Sequence, residues 1–156
     1  GSCDFLISYC DQKTLEQFDR SLFEFHKIVE MEILPVTALD YDGTAKYSLD
    51  QSFPLLSYSK QAYLRNCVDE AIENKLDYRT LYETDNAGDL KELVLQGLGV
   101  AWLPKLLVER EIQENKLKVL DGKQYYLFQD VYLVKREMSF SNRINYIWNV
   151  LIHKNK

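Results

Sequence analysis

The chain has 156 residues, 46% of them hydrophobic and 28% charged, and a formal net charge of −5. That balance supports a buried globular core, and no apolar run approaches the length needed to span a bilayer, so disordered and membrane-embedded classes are excluded. The acidic charge also excludes a stand-alone grip on nucleic acid, which needs clustered Lys and Arg to displace counterions. Cys3, Cys10 and Cys67 are odd in number and lack CxxC or Cys/His spacing, which suits a reducing cytoplasm better than a disulfide framework and supplies no metal or cofactor set. No export signal opens the chain, and Gly1-Ser2 looks like the scar of tag removal.

Asp4 to Tyr9, DFLISY, is a short apolar run and a predicted buried strand. Ligands of α/β sheets lie beyond the carboxyl ends of strands, which makes Ser8, Tyr9 and Cys10 candidates for touching a small molecule. A polar connection, DQKTLEQFD, leads to an alternating stretch from Phe23 to Ile33. Phe23, Phe25, Val29, Met31 and Ile33 share one face, and Glu24, His26, Glu30 and Glu32 the other, the signature of a strand with one wet side. The Pro, Asp-Gly and Ser signals of LPVTALDYDGTAKYSLDQS then predict a turn-rich crossing.

Phe53 to Tyr58 is the next predicted strand, with Ser59 placed to cap a helix reaching about Asn74. Tyr63, Leu64, Cys67, Val68, Ala71 and Ile72 give that helix a buried stripe, and Cys67 belongs to it. Leu76 to Thr84 forms another strand. In ETDNAGDLKELVLQGLGVAWLP, residues 83–104, Asn86 caps a helix whose Leu90, Leu93 and Val94 share a face, with Asp89 turned to its positive end. Gly97 and Gly99 supply the backbone freedom for a helix end and close turn; Val100 to Leu103 continue as a strand, and Pro104 opens the next helix. Lys105 to Asn115 is that helix, Leu117 to Val119 a brief strand, and Asp121-Gly122 a turn. Tyr125 to Val134 is apolar on both faces, as a central strand is. A last helix, capped by Ser139 or Ser141, carries Phe140, Ile144, Ile147, Trp148 and Leu151 as its stripe.

The string LVLQGLGVAWLPKLLVEREIQENKLKVL, preceded at fitting distances by DFLIS and PLLSYSKQAYL, resembles the effector-binding domain of LysR-type transcriptional regulators over most of residues 4–152, and within them the hypochlorite-responsive subgroup. The resemblance implies a two-subdomain α/β fold of the periplasmic-binding-protein type 2 kind, with a ligand between the subdomains. It would place 1–51 and 122–156 in the first subdomain and 52–121 in the second. In the family two strand-helix units precede the strand matching DFLIS, and a winged helix-turn-helix precedes those; neither is present here, so the first subdomain is read as incomplete.

The leading expectation is therefore a cytoplasmic, oligomeric sensor that binds a small-molecule effector and touches DNA only through an N-terminal domain absent here. Ser8, Tyr9, Tyr58, Ser59, Thr84, Asp85 and Asn86 are the candidate ligand contacts, because strand ends and helix starts converge there; the same residue types also cap helices. The solute-binding protein of a transporter is the alternative on the same fold. An enzyme is not expected, since the two histidines lie far from any nucleophile or metal-ligand pattern. Oxidant sensing, which the subgroup implies, needs reactive sulfur, for which Cys10, Cys67 and Met138 are the candidates.

Overall fold

The computed structural model describes residues 5–9 and 23–136. The predicted polar connection, the final helix, Cys3, Cys10 and Met138 lie outside the described residues. In chain order the elements are β1 (Phe5–Tyr9), β2 (Phe23–Ala38), β3 (Phe53–Tyr58), α1 (Tyr63–Ile72), β4 (Tyr78–Thr84), α2 (Ala87–Leu95), β5 (Ala101–Pro104), α3 (Lys105–Gln113), β6 (Leu117–Val119), a 3-10 turn (Lys123–Tyr125) and β7 (Leu127–Arg136). They fall into two compact units, Gly1–Met31 with Phe128–Lys156, and Glu32–Leu127.

In the first unit β7 lies between β1 and β2, the central place that its two apolar faces predict. β1 runs antiparallel to it, with Ser8 opposite Tyr132 and Tyr9 opposite Val131. Val131, Leu133 and Val134 are buried. Lys27 on β2, at a position of the face predicted apolar, places its ammonium 2.9 Å from Asp130 on β7. Val29, predicted on the apolar face, is 41% exposed, so that face is only partly covered.

In the second unit β2 does not stop at Ile33, where Leu34-Pro35 predicted a loop; it continues to Ala38, pairing antiparallel with β5 and then with β6. Proline removes a ladder donor, which is why it argues against a central strand. Here the Pro35 carbonyl still accepts from the Leu120 N–H at 2.9 Å, and the Leu120 carbonyl takes the Tyr126 hydroxyl at 2.7 Å, so the missing N–H leaves no orphaned acceptor. β3 and β4 are parallel, as a strand-helix-strand connection through α1 requires. Trp102 (1% exposed) and Phe53 (2%) anchor the core with their ring centroids 6.4 Å apart, and the Trp102 indole donates to the Tyr125 carbonyl at 2.8 Å.

The helices follow their stripes. Leu64, Val68 and Ile72 bury one face of α1, Leu90 and Val94 one face of α2, and Val108 that of α3. Residues able to hold a left-handed backbone follow each helix: Asn74 at φ 63° after α1, Gly97 at φ 79° after α2 and Asn115 at φ 59° after α3. Gly99 serves a different need. Its neighbour Val100 donates to the Pro54 carbonyl at 2.9 Å, and a Cβ on Gly99 would come within 2.6 Å of that oxygen. Pro104 ends β5 and is the N-cap of α3 rather than its first helical residue.

Candidate functional site

The candidate residues of the second unit gather where β3 and β4 end side by side. The Ser59 N–H donates to the Thr84 carbonyl at 3.0 Å, which ties the β3–α1 turn to the β4–α2 turn. The two turns differ in how their helix starts are satisfied. At α2 the Asn86 side chain accepts from the Gly88 N–H at 2.7 Å, the cap that the sequence predicts. The Thr84 hydroxyl accepts from the Asn86 N–H and donates to Asp89, each at 3.3 Å. Asp85 accepts a long 3.5 Å contact from Gln61. This second start is closed by its own side chains, with the acidic Asp85 and Asp89 beside it.

The first start is open. Ser59 does not cap α1: a turn intervenes, in which the Ala62 N–H donates to the Ser59 carbonyl at 2.9 Å, and Ala62 becomes the N-cap. Alanine has no acceptor, so the first turn of α1 receives no side-chain cap. The Ser59 hydroxyl, half-buried, has no hydrogen-bond partner among the described residues. A hydroxyl donor beside a helix start that has no side-chain cap, at the positive end of the helix, is an arrangement that receives an anion or a carboxylate.

Tyr58 enters the site through its backbone. Its side chain is 3% exposed and donates its hydroxyl to the Trp102 carbonyl at 2.8 Å, while its own carbonyl accepts from Arg65 at 2.9 Å. Arg65 pairs further with Asp69 at 2.8 Å and Glu83 at 3.2 Å. Burial opposes the guanidinium charge, and the two carboxylates outweigh it and raise its pKa. The Arg65–Asp69 half of this brace is legible as an i,i+4 pair; Glu83 joins only through the β4 fold. Ser8 and Tyr9 are described as backbone of β1 in the other unit. Cys67, predicted within the buried stripe of α1, is only half-buried, beside the buried Leu64, Val68 and Ile72.

The described clefts of the second unit lie at its opposite end. One of about 300 Å³ is lined by Leu39, Asp40, Lys46 and Gln96 among others, and one of about 260 Å³ by Ser48, Asp50 and Lys118. Both border the loop that follows β2, and the first lies at the carboxyl end of α2, roughly 13 Å of helix away from Asn86. No group of His, Cys, Asp and Glu able to hold a metal occurs among the described residues, and none of their helices is long and apolar enough to cross a membrane.

The sequence profile of the LysR substrate binding domain matches residues 1–152. Among curated proteins, the transcriptional regulator YjiE of Escherichia coli K12 is 32% identical over 124 residues, 78% of this chain and 40% of its own length. Among solved structures, full-length HypT of Salmonella typhimurium, a hypochlorite-specific LysR-type regulator, superposes with a TM-score of 0.89 at 27% identity, covering 99% of this chain and 52% of that one. The bromide-bound regulatory domain of HypT gives a TM-score of 0.86 at 28% identity, covering 97% of this chain and 72% of that one. The chain spans 40% and 50% of the lengths of the curated relatives it matches.

Proposed function

Because the chain belongs to the LysR substrate-binding domain family, we propose that it is the effector-sensing regulatory domain of a LysR-type transcriptional regulator, and that its effector carries an anionic or carboxylate group received at the start of α1. The fold is the α/β, periplasmic-binding-protein-like type 2 architecture of that family, which senses ligands and is not catalytic. The observation that carries the reading is the match of the family profile over residues 1–152, together with the HypT superposition.

In this reading the effector accepts from the Ser59 hydroxyl and lies at the positive start of α1, with the Thr84–Asn86 turn braced beside it by the Ser59–Thr84 hydrogen bond. An effector shifts a two-state equilibrium only by its differential affinity for the two states, so contacts at this start bias the domain toward the state in which it is formed. DNA recognition falls to a helix-turn-helix segment of the kind that gives the HTH-type regulator YjiE its name, consistent with the net charge of −5 of this chain. Self-association accompanies the function. Among the described residues β1 pairs only with β7 and β4 only with β3, and β4 shows Leu81 and Tyr82 about half exposed.

Kinship with HypT supports a narrower oxidant-sensing form of the same role, in which Cys67 is the described sulfur candidate and Cys10 and Met138 the others. Mass spectrometry after substoichiometric hypochlorite identifies it: oxidation confined to one of these sulfurs fits, and uniform or absent oxidation contradicts it.

The effector site is tested by two-dimensional NMR of the chain titrated with bromide and with a panel of small carboxylates. Saturable shifts at the amides of residues 59–64, weakened roughly tenfold by Ser59→Ala, are the expected result. Saturable binding elsewhere that leaves these amides unmoved rejects the site.

A further inference from the structure

We propose a second small-molecule site, independent of the effector reading, in the cleft between the loop after β2 and the carboxyl end of α2, with a small zwitterion as its ligand: an ammonium and a carboxylate on a branched aliphatic body.

The cleft measures about 300 Å³, at the lower end of the range of small-ligand pockets. Leu39 and Leu95 are the aliphatic residues of its lining, beside Ala38. Its polar groups are Asp40, Lys46 and Gln96. Asp40 and Lys46 carry opposite charges on one small cleft, yet among the described residues neither forms an ion pair with the other or with a third group. The backbone of Asp40 is held in a closed turn, its N–H donating to the Thr44 carbonyl at 2.8 Å and its carbonyl accepting from Gly43 at 3.0 Å.

Lys46 is held as well. Its ammonium lies 5.7 Å from the ring centroid of Tyr47 and so close to Gly97 that a Cβ there would come within 2.8 Å of it. The Tyr47 hydroxyl donates to the Gly97 carbonyl at 3.0 Å, fastening the loop to the end of α2. At the rim, Tyr41 is fully exposed.

A ligand of one sign satisfies one of the two charges and is repelled by the other. A zwitterion satisfies both: its carboxylate accepts from Lys46, its ammonium donates to Asp40 with the negative end of α2 nearby, and its aliphatic body covers Leu39 and Leu95. A divalent metal fits poorly, because Asp40 is the only carboxylate in the lining.

NMR titration of the chain with L-leucine, N-acetyl-L-leucine and L-leucinamide separates the contributions. L-leucine is expected to shift the amides of residues 39–46 and 95–97 saturably. Removing its ammonium by acetylation, or its carboxylate by amidation, is expected to weaken binding about tenfold or more, as are Asp40→Asn and Lys46→Gln respectively. Both substitutions are at exposed positions, and unchanged amide spectra outside the loop verify that each variant is folded. The proposal is overturned if L-leucine produces no saturable shift there by about 10 mM. It is equally overturned if the acetylated or amidated compound binds as well as leucine, or if the shifts fall at residues 59–64 alone.

Discussion

Gly97 and Gly99 stand two residues apart and are constrained for different reasons. Gly97 holds φ 79°, a conformation that β-branched side chains do not adopt, whereas Gly99 lies where a Cβ would strike the Pro54 carbonyl. Valine at either position is therefore expected to cost about 1 kcal/mol or more in chemical denaturation. The remedies differ: Gly97→Asn is expected to retain more stability than Gly97→Val, because Asn tolerates the left-handed region, while Gly99→Ala still clashes. Unchanged midpoints for both valine variants contradict this division. The need for glycine was legible from a helix end followed by a turn. Its cause at Gly99 was not, because the obstructing atom belongs to β3, far away in sequence.

At the scale of elements, the two helix starts make a controlled comparison. Asn86→Ala removes a formed 2.7 Å cap and is expected to lower stability by about 1 kcal/mol, while Ser59→Ala removes no hydrogen bond and is expected to leave the melting midpoint nearly unchanged. Equal losses in both would mean that Ser59 caps α1 after all. The Asn86 start was legible because its polar residue directly precedes the apolar stripe. The Ser59 start was misjudged because the stripe begins only at Tyr63 and Leu64, which leaves room for the extra turn at Ala62. Pro35 misled in the same way, since the group that compensates for its missing N–H is the distant Tyr126 hydroxyl. Between α2 and α3, Lys91 and Glu111 lie 2.6 Å apart, and the Lys91 hydrogen bond holds the Glu111 carboxyl below its ordinary pKa. A depressed carboxylate contributes stability that is present above its unfolded pKa, about 4.3, and is lost as pH falls through the lower folded value. Glu111→Gln is thus expected to flatten the acid limb of the stability profile, and an unaltered limb contradicts the pairing.

For the molecule as a whole, periodicity recovered most strands and helices, but it was the ordered string from Leu93 to Leu120 that carried the family, because composition alone describes any acidic globular domain. The edges β1 and β4 lead to an expectation of self-association, seen as a mass above the monomer in light scattering across a concentration series. Ser8→Asp is expected to lower that mass with little change in far-ultraviolet circular dichroism if β1 is the pairing edge; a monomer mass at every concentration rules out both edges. The regulatory role itself is tested most directly by joining this chain to the helix-turn-helix segment of YjiE and measuring transcription from a promoter that YjiE controls. The compounds to use are those shown to bind the isolated chain at residues 59–64. Such a compound is expected to change transcription several-fold, with the response reduced by Ser59→Ala; a chimera that occupies the promoter yet transcribes identically with and without every bound compound contradicts the assignment.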